Sequence, residues 1–130
     1  MAMGEKSEGL VSMINTAATA ISRGSAVVRN TTTDGDKGTL SGAATAVPAG
    51  IAVDDSLGVV GTVFTIATSG FVKVKVGTAA TQGGYAVSEA GGVLTNAVTG
   101  AIRNVYGRFC ESGVTGDLVM LEVEPGAYWV

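Results

Sequence analysis

The feature that most constrains the fold is the alternation of apolar and polar residues in Phe71–Val76, which reads FVKVKV. A period of two places the three valines on one face of a β-strand and the two lysines on the other. The preceding segment Val63–Thr68 also alternates, with Phe64 and Ile66 on one face. A Ser-Gly pair separates the two segments, so we predict that they form a β-hairpin.

The composition predicts an all-β domain of many short strands. The chain has 130 residues, which suits one domain, and it is 46% hydrophobic but only 5% aromatic. Its apolar residues are mostly valine and alanine with threonine between them, and valine and threonine favour strands. The 20 glycines supply turns between strands. We therefore expect a compact β-barrel or β-sandwich.

The chain carries a weak internal repeat, offset by about 55 to 60 residues. In order, the three similar pairs of segments are Gly24–Val27 with Gly84–Val87, Gly50–Asp54 with Gly107–Glu111, and Gly61–Phe64 with Gly116–Val119. Two such halves predict approximate internal symmetry in a barrel or sandwich. Asp54 and Glu111 then occupy matching places after a short apolar strand, which predicts a recurring turn device.

The sequence predicts no enzyme, cofactor or metal site. Asp54 and Asp55 are adjacent carboxylates, but acid–base chemistry needs a second functional group within reach, and the chain has no histidine. We expect them to accept hydrogen bonds from nearby backbone amides. Asp34, Asp36 and Gly38 faintly resemble a calcium loop, but the remaining oxygen ligands and the terminal glutamate are missing.

Charge and hydropathy exclude several classes of partner. The net charge of -3 and the isoelectric point near 4.7 argue against nucleic-acid binding, which needs a basic surface. No apolar run approaches the roughly 20 residues that span a bilayer, and MAMGEKSEGL has early acids and no long apolar region, so we do not expect it to be a secretion signal. Cys110 is the only cysteine, so we expect it to pack as a small apolar residue. These features predict synthesis in a reducing cytoplasm and no small-molecule substrate.

We divide the chain into an extended N-terminal arm (1–20), a β domain (21–125) and a C-terminal tail (126–130). The spacing of apolar residues in Leu10–Ile21 fits a helix, but the threonines and the following glycine favour an extended segment. The arm is either a frayed terminus or packs on a neighbouring subunit. The tail either folds back on the core or fills a pocket on a partner. The candidate interface residues are Leu10, Val11, Met13, Ile14, Tyr128 and Trp129.

The last strong strand is predicted over Leu118–Glu124, where Pro125-Gly126 ends it. Residues 97–103 are predicted to be a connection, and Gly107 to mark a bulge in the strand 105–110. If Leu118–Glu124 lies beside Phe71–Val76, its two glutamates could pair with the two lysines, which would stabilise the sheet by roughly 0.2 to 1 kcal/mol per pair. The alternative is two independent solvated faces.

Four runs together resemble the small capsid decoration (cement) proteins of tailed bacteriophages. These runs are ISRGSAVV, AGIAVDDSLGVVGTVFTIATSGFVKVKVG, GGYAVSEAGGVLT and VYGRFCESGVTGDLVMLEV. The resemblance covers about Ile21 to Val123, the part of the chain that contains the repeat. It does not extend to the N-terminal arm or to the aromatic tail after Pro125.

The resemblance implies a structural virion protein on the outer surface of the mature capsid, assembled in the host cytoplasm. Its implied partner is the major capsid protein, whose neighbouring subunits it would clamp as a homotrimer. Two alternatives of other classes remain: a receptor- or glycan-binding head fibre, and a tail-tube or baseplate protein. Few and scattered aromatic residues count against a glycan site, and ring-shaped assembly would favour a tail tube.

Overall fold

The computed structural model describes residues 5–29, 37–40, 47–56 and 58–130. Every regular element among them is a β-strand, which confirms the all-β class. The described residues include no helix that could span a membrane. The strands are β1 (Lys6–Glu8), β2 (Val11–Asn15), β3 (Ala26–Arg29), β4 (Lys37–Leu40), β5 (Pro48–Ala52), β6 (Val63–Ala67), β7 (Ser69–Lys75), β8 (Ala79–Ala80), β9 (Tyr85–Ser88), β10 (Leu94–Asn96), β11 (Ile102–Phe109), β12 (Gly113–Val114) and β13 (Leu118–Trp129).

The strands β2 to β6 form a closed barrel in the order β2-β4-β3-β5-β6, which we call the first module (11–67). Its pairs are antiparallel except for β2 and β4, which run parallel. Met13, Phe64 and Ile66 fill its interior and are at most 1% exposed. Burying a side chain of this size stabilises the fold by about 1.5 to 3 kcal/mol.

The remaining large sheet has the order β1-β7-β13-β11-β9-β10. We call β7 and β9 to β11, together with β13 as far as Glu122, the second module (69–122). A parallel bridge between Val76 and Leu94 joins the end of β7 to β10. This bridge corresponds to the parallel contact between β2 and β4, so the second module returns on itself in the same way.

The pairing registers of the two modules match. In the first module Ile14 lies opposite Val63, and in the second Lys75 lies opposite Leu118. Every further pair between β2 and β6 has its counterpart between β7 and β13. The predicted internal repeat is therefore present in the backbone ladder, where it is much clearer than in the side chains.

The acidic turn device also recurs as predicted. Thr65 N donates a hydrogen bond to Asp54 Oδ1 at 2.8 Å, and Met120 N donates one to Glu111 Oε1 at 2.7 Å. The residue after each acid repeats the scheme. Asp55 accepts a hydrogen bond from a backbone amide 32 positions earlier, and Ser112 accepts one from a backbone amide 30 positions earlier. These carboxylates act on the backbone, as the sequence predicted.

The predicted hairpin of 63–68 with 71–76 is wrong. Strand β6 pairs with β2 and β5, whereas β7 pairs with β1 and β13. The chain runs through Gly70, whose φ is +88°, from one module into the other. The apolar residues of the two strands belong to different modules, because Phe64 faces the first barrel and Val74 the core of the second.

The N-terminal segment lies along this whole junction. Lys6 pairs with Phe71, and Val11 pairs with Ile66. The two strands therefore advance by the same number of residues in opposite directions, with no residue inserted in either. Residues 6–14 thus keep one antiparallel register along residues 63–71. The segment that the sequence analysis placed in an extended arm forms two strands here, and β2 is one strand of the first barrel.

Strand β13 does not end at Pro125-Gly126 but continues to Trp129. Proline lacks a backbone N–H and is tolerated where no ladder bond is needed, as at a bulge or a sheet edge. The register between β11 and β13 shifts between Val105 and Gly107, and this places the predicted bulge at Gly107. A side chain at Gly107 would collide with the Glu122 carbonyl oxygen, which is why only glycine fits.

The two modules share a core. One buried cluster combines Ile51 and Ala67 of the first module with valines and aromatic residues of the second. Tyr106 is 1% exposed, and its hydroxyl donates a hydrogen bond to the Val27 carbonyl oxygen at 3.2 Å across the junction. Strands β8 and β12 form a separate pair beside the second module.

The two strands with alternating charge are neighbours, as the pairing hypothesis required. Their register places Lys73 opposite Met120, Lys75 opposite Leu118, and Glu122 opposite Phe71. Lysines and glutamates are thus never directly opposite. The ion pairs among the described residues are Lys6 with Glu8 and Arg23 with Glu5.

Candidate partner-binding surface

The start of β11 and the end of β13 form a two-stranded ribbon, which we call the C-terminal ribbon (102–105 and 126–129). Strand β13 pairs with β7 only as far as Glu122. Strand β11 pairs with β9 only at Gly107 and the residue after it. Among the described residues, the ribbon therefore has no third strand on either side.

One face of the ribbon presents large apolar side chains to solvent. Trp129 and Ile102 lie directly opposite each other and are 70% and 68% exposed. Val98 is 73% exposed, and its carbonyl oxygen accepts a hydrogen bond from Arg103 Nε at 3.0 Å. Adjacent exposed apolar side chains usually mark a contact surface.

The other face is held by aromatic packing. The rings of Tyr128 and Tyr85 are stacked with centroids 5.9 Å apart and an interplanar angle of 21°. The Arg108 guanidinium lies 5.1 Å from the centroid of the Tyr85 ring, within the range of a cation–π contact. These contacts attach the tail to its own domain, so the ribbon is a built part of the fold.

Gly126 leaves room for the Tyr128 ring on its own strand. A side chain there would come within 3.1 Å of that ring. Gly107, at the bulge next to Arg108, has a different role, because a side chain there would collide with the backbone of β13 at Glu122.

A small acidic cavity opens where β7 and β13 separate. Its volume is about 250 Å³, and Glu8, Glu122 and Glu124 contribute carboxylates to its wall. Ser69, Gly70 and Phe71 complete the β7 side. Glu8 is paired with Lys6 at 3.4 Å, so the acids of this wall that have no ion pair in the described structure are Glu122 and Glu124, and these two favour a cationic group.

A second cavity of about 380 Å³ lies beside the first strand of the ribbon. Its apolar rim includes Val98 and Ile102, and its polar wall includes Glu89, Asn96 and Arg103. Because it combines apolar and hydrogen-bonding groups next to Ile102, it can receive a side chain of a protein that docks on the ribbon.

The four N-terminal candidates have different positions. Leu10 and Val11 are 59% and 38% exposed, Ile14 is half-buried on the outside of the first barrel, and Met13 is 1% exposed inside it. The Met13 side chain is thus a core residue of its own chain and does not reach the surface. Ile14 lies opposite Val63, which is 62% exposed.

The structure does not bring the N-terminal and C-terminal candidates together, because the first group lies on or directly before β2 of the first module and the ribbon extends from the second. Tyr128 is 36% exposed and Trp129 is the more accessible of the tail pair. Sequence reasoning missed Ile102 and Val98, which it placed in a connection. Ile102 begins β11 and is followed by two polar residues before the bulge. A pattern this short is too weak to predict that Ile102 is an exposed apolar residue on a strand.

The sequence also singled out a faint calcium loop and a lone cysteine. Asp34 and Asp36 lie outside the described residues, and Gly38 is buried against Met13. Within the described ranges, no group of three or more acids or cysteines could hold a metal ion. Cys110 follows β11 directly and is half-buried. Burial, and secondarily the charge of Glu122, raise the pKa of its thiol.

Comparison with known proteins shows the fold. No model of a known protein family matches the chain, and no curated protein sequence matches it. Among solved structures, the chain is similar to the N base of the head fibre gp8.5 of bacteriophage phi29. The TM-score is 0.66 with 17% identity, over 93% of this chain and 99% of that chain. The two compared chains therefore share a fold over almost all of their residues.

Proposed function

We propose that the chain is a structural protein of a tailed-bacteriophage head that binds the outer surface of the mature capsid. It stabilises the shell by contacting neighbouring subunits of the major capsid protein, and it does so as a homotrimer without enzymatic activity. The fold that it shares with the base of a phage head fibre is the observation that carries this proposal. The C-terminal ribbon supplies an exposed apolar surface for the attachment.

The stabilisation follows from mass action. A protein that binds the assembled shell but not its separated subunits lowers the free energy of the shell. At a ligand concentration 100 times the dissociation constant, each site contributes about 2.7 kcal/mol. Three subunits that bind together make release slower still, because one contact holds the others near their sites.

A second candidate is the base of a head fibre. It is favoured by the similar solved structure, which is itself the base of a head fibre. Both functions require attachment to the head, but a fibre base also carries a distal part that extends from the capsid. The two are distinguished by whether the virion component that contains this chain extends beyond the shell.

Co-sedimentation with expanded capsids that lack the protein tests the proposal. Purified protein is mixed with these capsids and, as a control, with unexpanded procapsids. We expect it to pellet with expanded capsids at a saturable ratio and to raise the temperature at which they release DNA. Failure to pellet with either form would refute capsid attachment. Analytical ultracentrifugation of the free protein measures the proposed trimer.

A further inference from the structure

The free edge of β13 is the feature of the molecule that its own fold leaves incomplete. Val130 N donates to the Ala101 carbonyl oxygen, which marks residues 130 and 101 as a hydrogen-bonded pair. In an antiparallel ladder such pairs alternate with non-bonded pairs. The backbone N–H and C=O groups of Ala127 and Trp129 therefore point away from β11, towards the open side.

The internal repeat shows what this edge lacks. The continuous strand formed by β6 and β7 corresponds to β13 in the repeat. In the first module, residues 6–14 pair with this continuous strand from residue 63 to residue 71. In the second module the corresponding pairing, between β13 and β7, ends at Glu122, which lies opposite Phe71. Residues 124–126, the counterparts of 69–71, have no such strand beside them in the described structure. The same fold thus accommodates an antiparallel strand at one of two equivalent positions.

The charge beside this edge specifies the occupant. Glu8, Glu122 and Glu124 line the acidic cavity at the start of the uncovered stretch. An incoming strand places alternate side chains on opposite faces of the sheet. Lysine or arginine on one face would enter the acidic cavity, while apolar residues on the other would cover Trp129 and Ile102.

We propose that the edge of β13 at residues 124–129 binds an extended, positively charged segment of the capsid subunit by addition of an antiparallel β-strand. This inference rests on the proposed function and specifies its contact. In strand addition the main-chain hydrogen bonds supply affinity, and pockets for alternate side chains supply specificity. The acidic cavity, the apolar pair and the two outward backbone positions provide these features here.

The decisive variant is Ala127→Pro, which removes an outward N–H without breaking a bond to β11. Its matched control is Ser7→Pro. Lys73 N and, two residues earlier, Phe71 face β1, so Lys6 opposite Phe71 bonds to β7 and the next N–H, that of Ser7, points away at the outer edge of the same sheet. We expect Ala127→Pro to weaken binding to expanded capsids by about ten-fold or more and Ser7→Pro to leave it unchanged. Circular dichroism checks that both variants fold.

Glu124→Lys is a second variant that leaves the backbone intact. We expect it to weaken capsid binding and to reduce the dependence of binding on salt concentration, because a cationic partner loses its counter-charge. Hydrogen exchange measured on the wild-type complex should slow at the amides of Ala127 and Trp129.

The outcomes separate the two proposals. If wild-type protein does not bind capsids, the proposed function fails and this inference fails with it. If wild-type protein binds but Ala127→Pro and Glu124→Lys bind equally well, the function stands and the edge assignment is overturned. Loss of binding by Ser7→Pro alone would also overturn it, since the contact would then lie at β1.

Discussion

The acidic turn device allows a quantitative test of the duplicated fold. Glu111 accepts a hydrogen bond from Met120 N at 2.7 Å, and Met120 is 2% exposed. Replacing Glu111 with alanine leaves this amide without its acceptor. Hydrogen bonds to charged groups contribute about 1.5 to 3 kcal/mol, but the exposed side of Glu111 lets water replace part of the contact. We expect Glu111→Ala to lower the free energy of unfolding by about 1 to 2 kcal/mol.

Two matched variants isolate the hydrogen bond. Glu111→Gln keeps a carbonyl oxygen in place, so we expect a loss of only about 0.5 kcal/mol. Asp54→Ala removes the equivalent acceptor in the first module, where the bond is more exposed and a loss of about 0.5 to 1 kcal/mol is expected. The order of stability should be wild type, Glu111→Gln, Asp54→Ala, Glu111→Ala.

Urea unfolding monitored by circular dichroism measures these differences. In a domain of this size, about 1 kcal/mol corresponds to a shift of roughly 3 to 5 °C in melting temperature. Equal losses for Glu111→Ala and Glu111→Gln would refute the reasoning, because the effect would then come from charge rather than from the acceptor. No loss in Glu111→Ala would refute the structural role of the device.

Three further predictions concern single residues. Gly107→Ala should destabilise the fold by about 3 kcal/mol, because its side chain would collide with the Glu122 carbonyl; soluble yield and melting temperature report it. Tyr106→Phe should cost about 1 kcal/mol in urea unfolding, through loss of its bond to Val27, while capsid binding stays unchanged. Cys110 should react with iodoacetamide more slowly at pH 8 in the folded protein than in urea, because burial raises the pKa of its thiol and lowers the thiolate fraction. The difference between the two rates should narrow as pH rises. Equal rates at pH 8 would contradict this prediction.

The hairpin error has a physical cause that the sequence contained. A two-residue turn at Ser69-Gly70 would place Lys73 opposite Ile66 on the same face of the sheet. That arrangement puts a charge beside a buried residue. The apolar residues instead keep one phase from Phe64 to Val76, as in a single continuous strand. Local turn chemistry favoured the hairpin. The path was decided instead by burial, because Phe64 and Ile66 pack in one buried cluster and the valines of β7 pack in another.

The repeat was the sequence inference that predicted most of the fold. The matching places of Asp54 and Glu111 predicted equivalent turns, and the backbone bonds to both confirm it. Equivalence of the ladders could not be predicted in detail, because strand register depends on partners distant in sequence.

The candidate site was only partly predictable. Trp129 and Tyr128 stand out in sequence as large aromatic residues in a tail, and the structure places Trp129 on an exposed surface. Their strand partner at Ile102 could not be found, because Pro125-Gly126 was taken as a strand end. Proline interrupts a strand only where its N–H is required, and a bulge or free edge removes that requirement.

Cryo-electron microscopy of expanded capsids with and without the bound protein tests the central claim most directly. The proposed function predicts additional density on the outer surface of the shell, shaped as two joined β modules, with the C-terminal ribbon against a capsid subunit. Absence of that density, or its appearance in the tail, would contradict attachment to the head. Density whose first module faces the shell would retain the function and reject the ribbon as the contact.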